Sequence, residues 1–169
     1  MIKHIFATLI AISTSTLTAA TINIPEDFST IQEGIDASVE GDTVLVAQGN
    51  YVENLVIEKE IVLASYALLD DTLQYTDWTN NIHVTNTRIM GGSPTNSKKG
   101  SCIQVSYGNI QPTIMGFTIS DGVGTSMLIN DCEATRVERS GGAIMAYQAF
   151  PIVTYLSLIH ISEPTRQKP

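Results

Sequence analysis

The stretch Thr21–Ala64, TINIPEDFST IQEGIDASVE GDTVLVAQGN YVENLVIEKE IVLA, constrains the fold more than any other part of the chain. It sets one short amphipathic helix directly ahead of a train of short apolar segments. Ser29 with Gln32, or Thr30 with Glu33, has the spacing of a capping box, in which two side chains reciprocally satisfy free backbone N–H groups. Phe28, Ile31, Ile35 and Val39 fall on one helical stripe. Gly41 follows, and a residue without Cβ suits the left-handed position just past a helix end. The helix is therefore expected within Thr30–Val39. Being short and one-sided, it needs a flat apolar surface to cover.

The segments that follow supply such a surface. Thr43–Ala47 reads as a β-branched strand, Gly49-Asn50 as a turn, Val52–Ile57 as a partly alternating strand and Ile61–Ala64 as the start of another, beyond the charged corner Glu58-Lys59-Glu60. Strands of four to six residues broken by Gly, Asn or charge suit the rungs of a coil, and no Asn-Gly hairpin signal separates them. Their Val, Ile and Leu content is that of strands buried in a parallel stack. The expected architecture is all-β, a right-handed parallel β-helix (a solenoid) with a short N-terminal α-helical cap. Val44, Val46, Leu55, Ile57, Ile61 and Leu63 are expected to be buried around one axis.

Self-similarity further along agrees with a solenoid. Gly100–Val105 followed by Pro112–Ile114 is echoed by Gly141–Ala146 followed by Pro151–Val153, which sets Ile103 and Ile144 at equivalent places. The offset suits a coil of roughly twenty residues interrupted by a polar insertion, Gly122–Ser140.

Both ends read differently from the middle. Lys3, the apolar run Ile5–Ile12 and the small residues Thr18-Ala19-Ala20 have the layout of a cleaved export signal over residues 1–20, and the Ser-Thr run Ser13–Thr16 interrupts the apolar run too early for a membrane anchor. An uncleaved N-terminal anchor is the competing reading. The mature protein is expected to be secreted or at the cell surface, with no transmembrane span. Leu156–Arg166, LSLIHISEPTR, resembles the translation of a common transposase adapter used in sequencing libraries. Residues 156–169 are accordingly read as adapter read-through and residues 21–155 as the N-terminal part of a β-helix domain, truncated at its C-terminal end; a genuine strand with a polar tail is the alternative.

Charge narrows the partners. Residues 21–155 hold 16 acidic and 6 basic side chains, a formal charge of −10. Phosphate recognition needs clustered Lys and Arg, so no nucleic acid is expected as partner. Lys98-Lys99 is the one basic doublet there and reads as a solvated loop. The same acidity repels anionic polysaccharides unless a basic patch or bound calcium intervenes. Cys102 and Cys132 either pair, as an exported chain permits, or remain two buried thiols; no zinc-ligand spacing surrounds them.

Candidate site residues are few. His83 is the only histidine in residues 21–155 and reads as a partly exposed strand position, so no His pair or triad can be assembled. Asp70, Asp71 and Asp77 lack the tight alternate spacing of a calcium loop. Tyr75 and Trp78 can stack on a sugar or pack their loop against the coil. Gly91-Gly92 and Gly141-Gly142 read as coil corners. No catalytic or substrate-binding residue is assigned, and no metal.

IPEDFSTIQEGIDAS, GDTVLVAQGNYVENLVI and TIMGFTISDG resemble the capped N-terminal part of pectate-lyase-like proteins of the right-handed β-helix class. The resemblance covers roughly Thr21–Val153 and fits poorly over Leu68–Asn81. It implies the fold and leaves activity open, because polysaccharide lyases, pectin esterases and surface adhesins share it. Gly49, Tyr51 and Glu53 match pectin esterases at positions that are structural in that family. The esterases' downstream Gln-Asp-Thr and Asp-Phe-Ile-Phe-Gly runs, like the paired aspartates of polygalacturonases, do not occur as far as Tyr155. Lyases of this class combine calcium-binding carboxylates with an Arg or Lys base. By that likeness Asp121, Asp131, Glu133, Arg136 and Arg139 on the insertion are candidates, against the plainer reading of charges solvating a long loop. Two functions are expected to compete: a non-catalytic surface, adhesin or glycan-binding protein, and a carbohydrate-active enzyme whose active site lies on coils beyond this chain. The expected partner is a polysaccharide or cell-surface glycan; no cofactor is assigned, and calcium is the one ion considered.

Overall fold

A computed structural model describes residues 18–70, 78–94, 96–106, 108–130 and 135–159. In chain order these form β1 (Thr21–Ile24), α1 (Ile31–Ala37), β2 (Thr43–Val46), β3 (Gly49–Val52), β4 (Leu55–Ile57), β5 (Val62–Ser65), α2 (Ile82–Thr85), β6 (Thr87–Met90), β7 (Ile103–Ser106), β8 (Thr113–Met115), β9 (Thr118–Ser120), β10 (Thr125–Asn130), β11 (Thr135–Ser140), β12 (Ile144–Tyr147), β13 (Ile152–Thr154) and β14 (Ser157–Ile159). The fold is all-β and built on parallel sheets. One sheet has the order β1-β2-β5-β8-β13, a second β14-β9-β6-β3 and a third β12-β7-β4. Every strand pair in them is parallel; among the described residues only β10 and β11 pair antiparallel. From β2 onward, successive strands visit the three sheets in rotation, with the β10–β11 hairpin inserted before β12.

Register stacks like side chains on like. Val44, Leu63, Ile114 and Val153 align across the first sheet, and Leu55, Ile103 and Ile144 across the third. Val44, Val46, Leu55, Ile57, Ile61 and Leu63 are each at most 2 % exposed, as their spacing predicts. Each such side chain contributes on the order of 1.5–3 kcal/mol by leaving water.

Helix α1 covers one end of this core through Ile31 and Ile35, which are buried. Of the two cap registers, Thr30 with Glu33 forms: the Glu33 N–H donates to Thr30 Oγ1 and the Thr30 N–H to Glu33 Oε2. Ser29 adds a bond from its hydroxyl to Glu33 Oε2 at 2.8 Å. The helix stops at Ala37, short of Gly41, and Val39 leaves the stripe with 48 % exposure. The cause lies across the fold. Lys59 Nζ donates to the carbonyls of Ile35, Asp36 and Ser38 at 2.7–2.9 Å, and Ser38 Oγ donates to Ile35 O, so the last carbonyls are satisfied before another turn can form. At the other end the Glu53 carboxylate accepts from the N–H groups of Ile31 and Gln32 at 3.0 Å each. Residues flanking β4 thus place an anion at the N-terminus of α1 and a cation at its C-terminus, the arrangement its dipole favours. Gln32 closes the edge of β4, accepting from Val56 N and donating to Val56 O.

Three other expectations change. Gly49-Asn50 belong to strand β3, not to a turn, because Gly49 N donates to Asn86 O and the segment pairs with Thr87–Met90; the corners fall at Ala47-Gln48 and Glu53-Asn54. His83 lies in α2, whose N-cap is the Asn81 side chain, and not in a strand. The insertion is not a plain loop: the six residues of β10 pair with the six of β11. In the tail, Ser157–Ile159 pairs with Thr118–Ser120, while residues 160–169 lie outside the described residues.

Candidate functional site

In β7, Ile103 and Val105 are fully buried, so Gln104 and Ser106 belong to the other face of the third sheet. Val56, Gln104 and Met145 are register partners and form a row across that face. The hairpin folds over one end of it. Its root is tied by Ser101, whose N–H and hydroxyl both meet Thr125 Oγ1, at 3.1 and 2.7 Å. Val123 and Gly124 both donate to Gly100 O. The approach is close enough that a Cβ on Gly100 would lie 2.0 Å from Gly124 O, and one on Gly122 only 1.8 Å from Gly142 O.

Between hairpin and sheet lies a cleft of about 210 Å³, lined by Lys98, Gln104, Ser106, Thr125, Ser126, Met127, Leu128, Met145 and Tyr147. Gln104 Nε2 donates to Ser106 Oγ at 3.0 Å, while its Oε1, shielded from solvent, accepts no hydrogen bond from the described residues. A second cleft of about 340 Å³ continues toward the cap, lined by Gln32, Asp36, Asn54, Val56, Glu58, Lys59 and Lys99 among others. Val56 and Gln104 are neighbours and Lys98 and Lys99 consecutive, so the two clefts adjoin along one face. The basic doublet, read from sequence as a solvated loop, sits on the turn Ser97–Lys99 that packs against β10, with one lysine lining each cleft. Lys59 is held by the helix carbonyls, whereas among the described residues no carboxylate pairs with Lys98 or Lys99.

Sequence reasoning placed interest on the insertion but missed Lys98, Gln104 and Tyr147, which face it from other elements. The signal for Gln104 and Tyr147 was present in the repeat. Once Ile103 and Ile144 are set inward, the odd positions after them face out.

The predicted residues fare unevenly. Asp121 is exposed at a left-handed corner (φ 62°) and accepts from Ser120 Oγ at 2.7 Å. Arg139 is exposed on β11. Asp131, Cys132 and Glu133, and the side chain of Arg136, lie outside the described residues, so neither the calcium set nor the cysteine pair is seen assembled. Asp71, Tyr75 and Asp77 also lie outside. Asp70 accepts from Asn81 Nδ2 at 2.7 Å and faces His83 Nε2 at 3.9 Å; the other ring nitrogen of His83 meets the Gln48 amide nitrogen at 3.2 Å. Trp78 packs edge-on against Tyr155, ring centres 6.3 Å apart, which is the packing alternative for that aromatic. Cys102 is a buried thiol whose Sγ donates to Ser120 O, and burial pushes its pKa up to about 11. Gly91 is a packed corner, as read: a Cβ there would lie 2.7 Å from Asp121 O. Among the described residues no three His, Cys, Asp or Glu side chains converge as metal ligands, and no helix is long and apolar enough to cross a membrane.

No protein-family model matches the chain, and neither does any curated protein at a significant level.

Proposed function

We propose that this protein is an exported right-handed parallel β-helix, of the pectate-lyase-like kind its cap phrase resembles, that binds glycans at or outside the cell surface without transforming them. The rotation of successive strands through three parallel sheets supports the solenoid reading, and the helix sealing one end of the core supports it further. The leader-like segment ahead of Thr21 supports export.

The cleft under the hairpin carries the functional reading. Tyr147 offers a phenol ring at 39 % exposure, and Met145 and Leu128 add apolar surface that suits the C–H face of a sugar ring. Ser106, Ser126 and Gln104 set hydroxyl and amide groups around the same space, where ring hydroxyls need partners of both donor and acceptor type.

Titration of the exported protein against a panel of plant and microbial oligosaccharides tests this directly. Binding is expected, and Tyr147→Ala and Gln104→Leu are each expected to weaken it about tenfold or more. No ligand in the panel, or affinity unchanged by both substitutions, rejects the reading. Appearance of new reducing ends or unsaturated sugars would replace it with an enzyme.

A further inference from the structure

The carboxylate of Asp42 is the starting point. It is 4 % exposed, and among the described residues it has no ion-pair partner. Its Oδ2 accepts from Val39 N at 2.8 Å and its Oδ1 from Ala20 N at 2.8 Å. The second contact is unusual in origin, because Ala20 belongs to the small-residue run at the end of the leader-like segment. Thr18, Ala19 and Ala20 are exposed and outside any helix or strand, and strand β1 begins at Thr21. Ala20 is nevertheless docked at both its backbone groups: its carbonyl accepts from Thr43 N at 2.8 Å.

We infer that export processing cuts the Ala19–Ala20 bond and that the new α-ammonium of Ala20 forms an ion pair with Asp42, fastening the first strand to the capped end. The inference rests on the export reading above and moves the mature end one residue earlier than the boundary read from sequence. In the cut, water adds across the peptide. The C–N bond breaks, Ala19 leaves as a carboxylate, the Ala20 nitrogen becomes an ammonium, and nothing is oxidised or reduced. A signal peptidase is the class of enzyme that performs this step; Ala19 is the small residue next to the cut, while Leu17 stands at the other position of the A-x-A-like signal, so the folded geometry and not the signal favours this bond.

Geometry favours this bond over its neighbour. A chain starting at Ala20 keeps both docked groups and replaces a neutral N–H donor on Asp42 with a charged one, which strengthens the hydrogen bond. A chain starting at Thr21 would lose the partner of Asp42 Oδ1 and the acceptor of Thr43 N together. The carboxylate is already held below its usual range, first by the Val39 N–H and then by the Ala20 N–H, so it is ionised and ready to receive a cation. Lys59 also acts on Asp42 through space, but its ammonium is committed to the end of α1.

The full chain should be produced in a bacterium that exports it, and the product examined by intact mass and N-terminal sequencing. Ala20 is expected as first residue. The pKa of its α-amino group, followed by NMR after reductive 13C-methylation, is expected to lie about one unit above the ordinary 7.7–8.0, and to return to that range in Asp42→Asn. With a raised pKa, the added stability is full below about pH 8 and is lost as pH rises through the folded value. A chain starting at Thr21, or an ordinary amine pKa in the folded wild type, overturns the inference while leaving export intact; a retained leader overturns both. If Asp42→Asn does not fold, the wild-type titration alone decides.

Discussion

Ile103 and Ile144 are register partners in adjacent parallel strands although 41 positions separate them in the chain. One uninterrupted turn through the three sheets takes far less: Thr43 and Val62, also partners, are 19 positions apart. The difference is absorbed by the hairpin β10–β11, which leaves the parallel sheets after β9 and returns before β12 without disturbing register. A scaffold that tolerates such an excursion can carry a binding surface on it, because loops held on a rigid framework are where binding residues sit.

The aligned core should behave as one unit. Ile114, fully buried between Leu63 and Val153, is expected to cost about 2–5 kcal/mol on substitution by Ala. Ile152, at the start of the same outer strand as Val153, is 46 % exposed, and Ile152→Ala should stay within about 0.5 kcal/mol. Urea denaturation of both variants checks the contrast; equal losses would mean that the inward register is misassigned.

Much of this core was readable beforehand, and the reason is local. Inward residues of short strands repeat with period two, and Thr30 with Glu33 is a cap that needs no distant partner. What the sequence hid depends on partners far along the chain. The end of α1 is set by Lys59, and Gly49 becomes strand only because Asn86 and Thr87 lie beside it. The cleft was hidden for the same reason. Tyr147 and Lys98 are 49 positions apart and meet only after the hairpin folds over the sheet.

The clamp on α1 gives a second prediction. Glu53 accepts two backbone N–H groups and Lys59 serves three carbonyls, and these hydrogen bonds all involve a charged group. Glu53→Ala and Lys59→Met are each expected to lower stability by about 1.5–3 kcal/mol. Hydrogen exchange should localise the loss, with amides of Ile31–Ala37 losing protection ahead of β7 and β8. Uniform loss across all strands would argue that α1 is no separate lid on the core.

At the hairpin root, space rather than charge decides. Gly122→Ala drives a methyl group into Gly142 O and against Cys102 Sγ, so a large loss is expected, or failure to fold. Gly41 is the control. It adopts φ +89° with open space around it, and Gly41→Ala should cost only the left-handed backbone term, about 1–2 kcal/mol. Thermal melts of the two variants separate crowding from backbone conformation; similar melting points would contradict the seam described between Gly122 and Gly142.

Acid should act first where Asp42 sits. The N–H groups of Val39 and Ala20 hold its carboxyl below the usual range, so it binds protons less readily folded than unfolded. Stability from a depressed carboxylate is present above the unfolded value, about 3.9, and is lost as pH falls through the lower folded value. The melting temperature is therefore expected to fall on acidification below about pH 4, and Asp42→Asn should flatten that fall while lowering the plateau at pH 6. Glu33 contributes in the same direction, its carboxyl lowered by Ser29 and Thr30, so the double variant Asp42→Asn with Glu33→Gln should flatten the profile further. An acid limb unchanged in the double variant would mean that other carboxylates govern it and that the bonds at Asp42 persist in the unfolded chain.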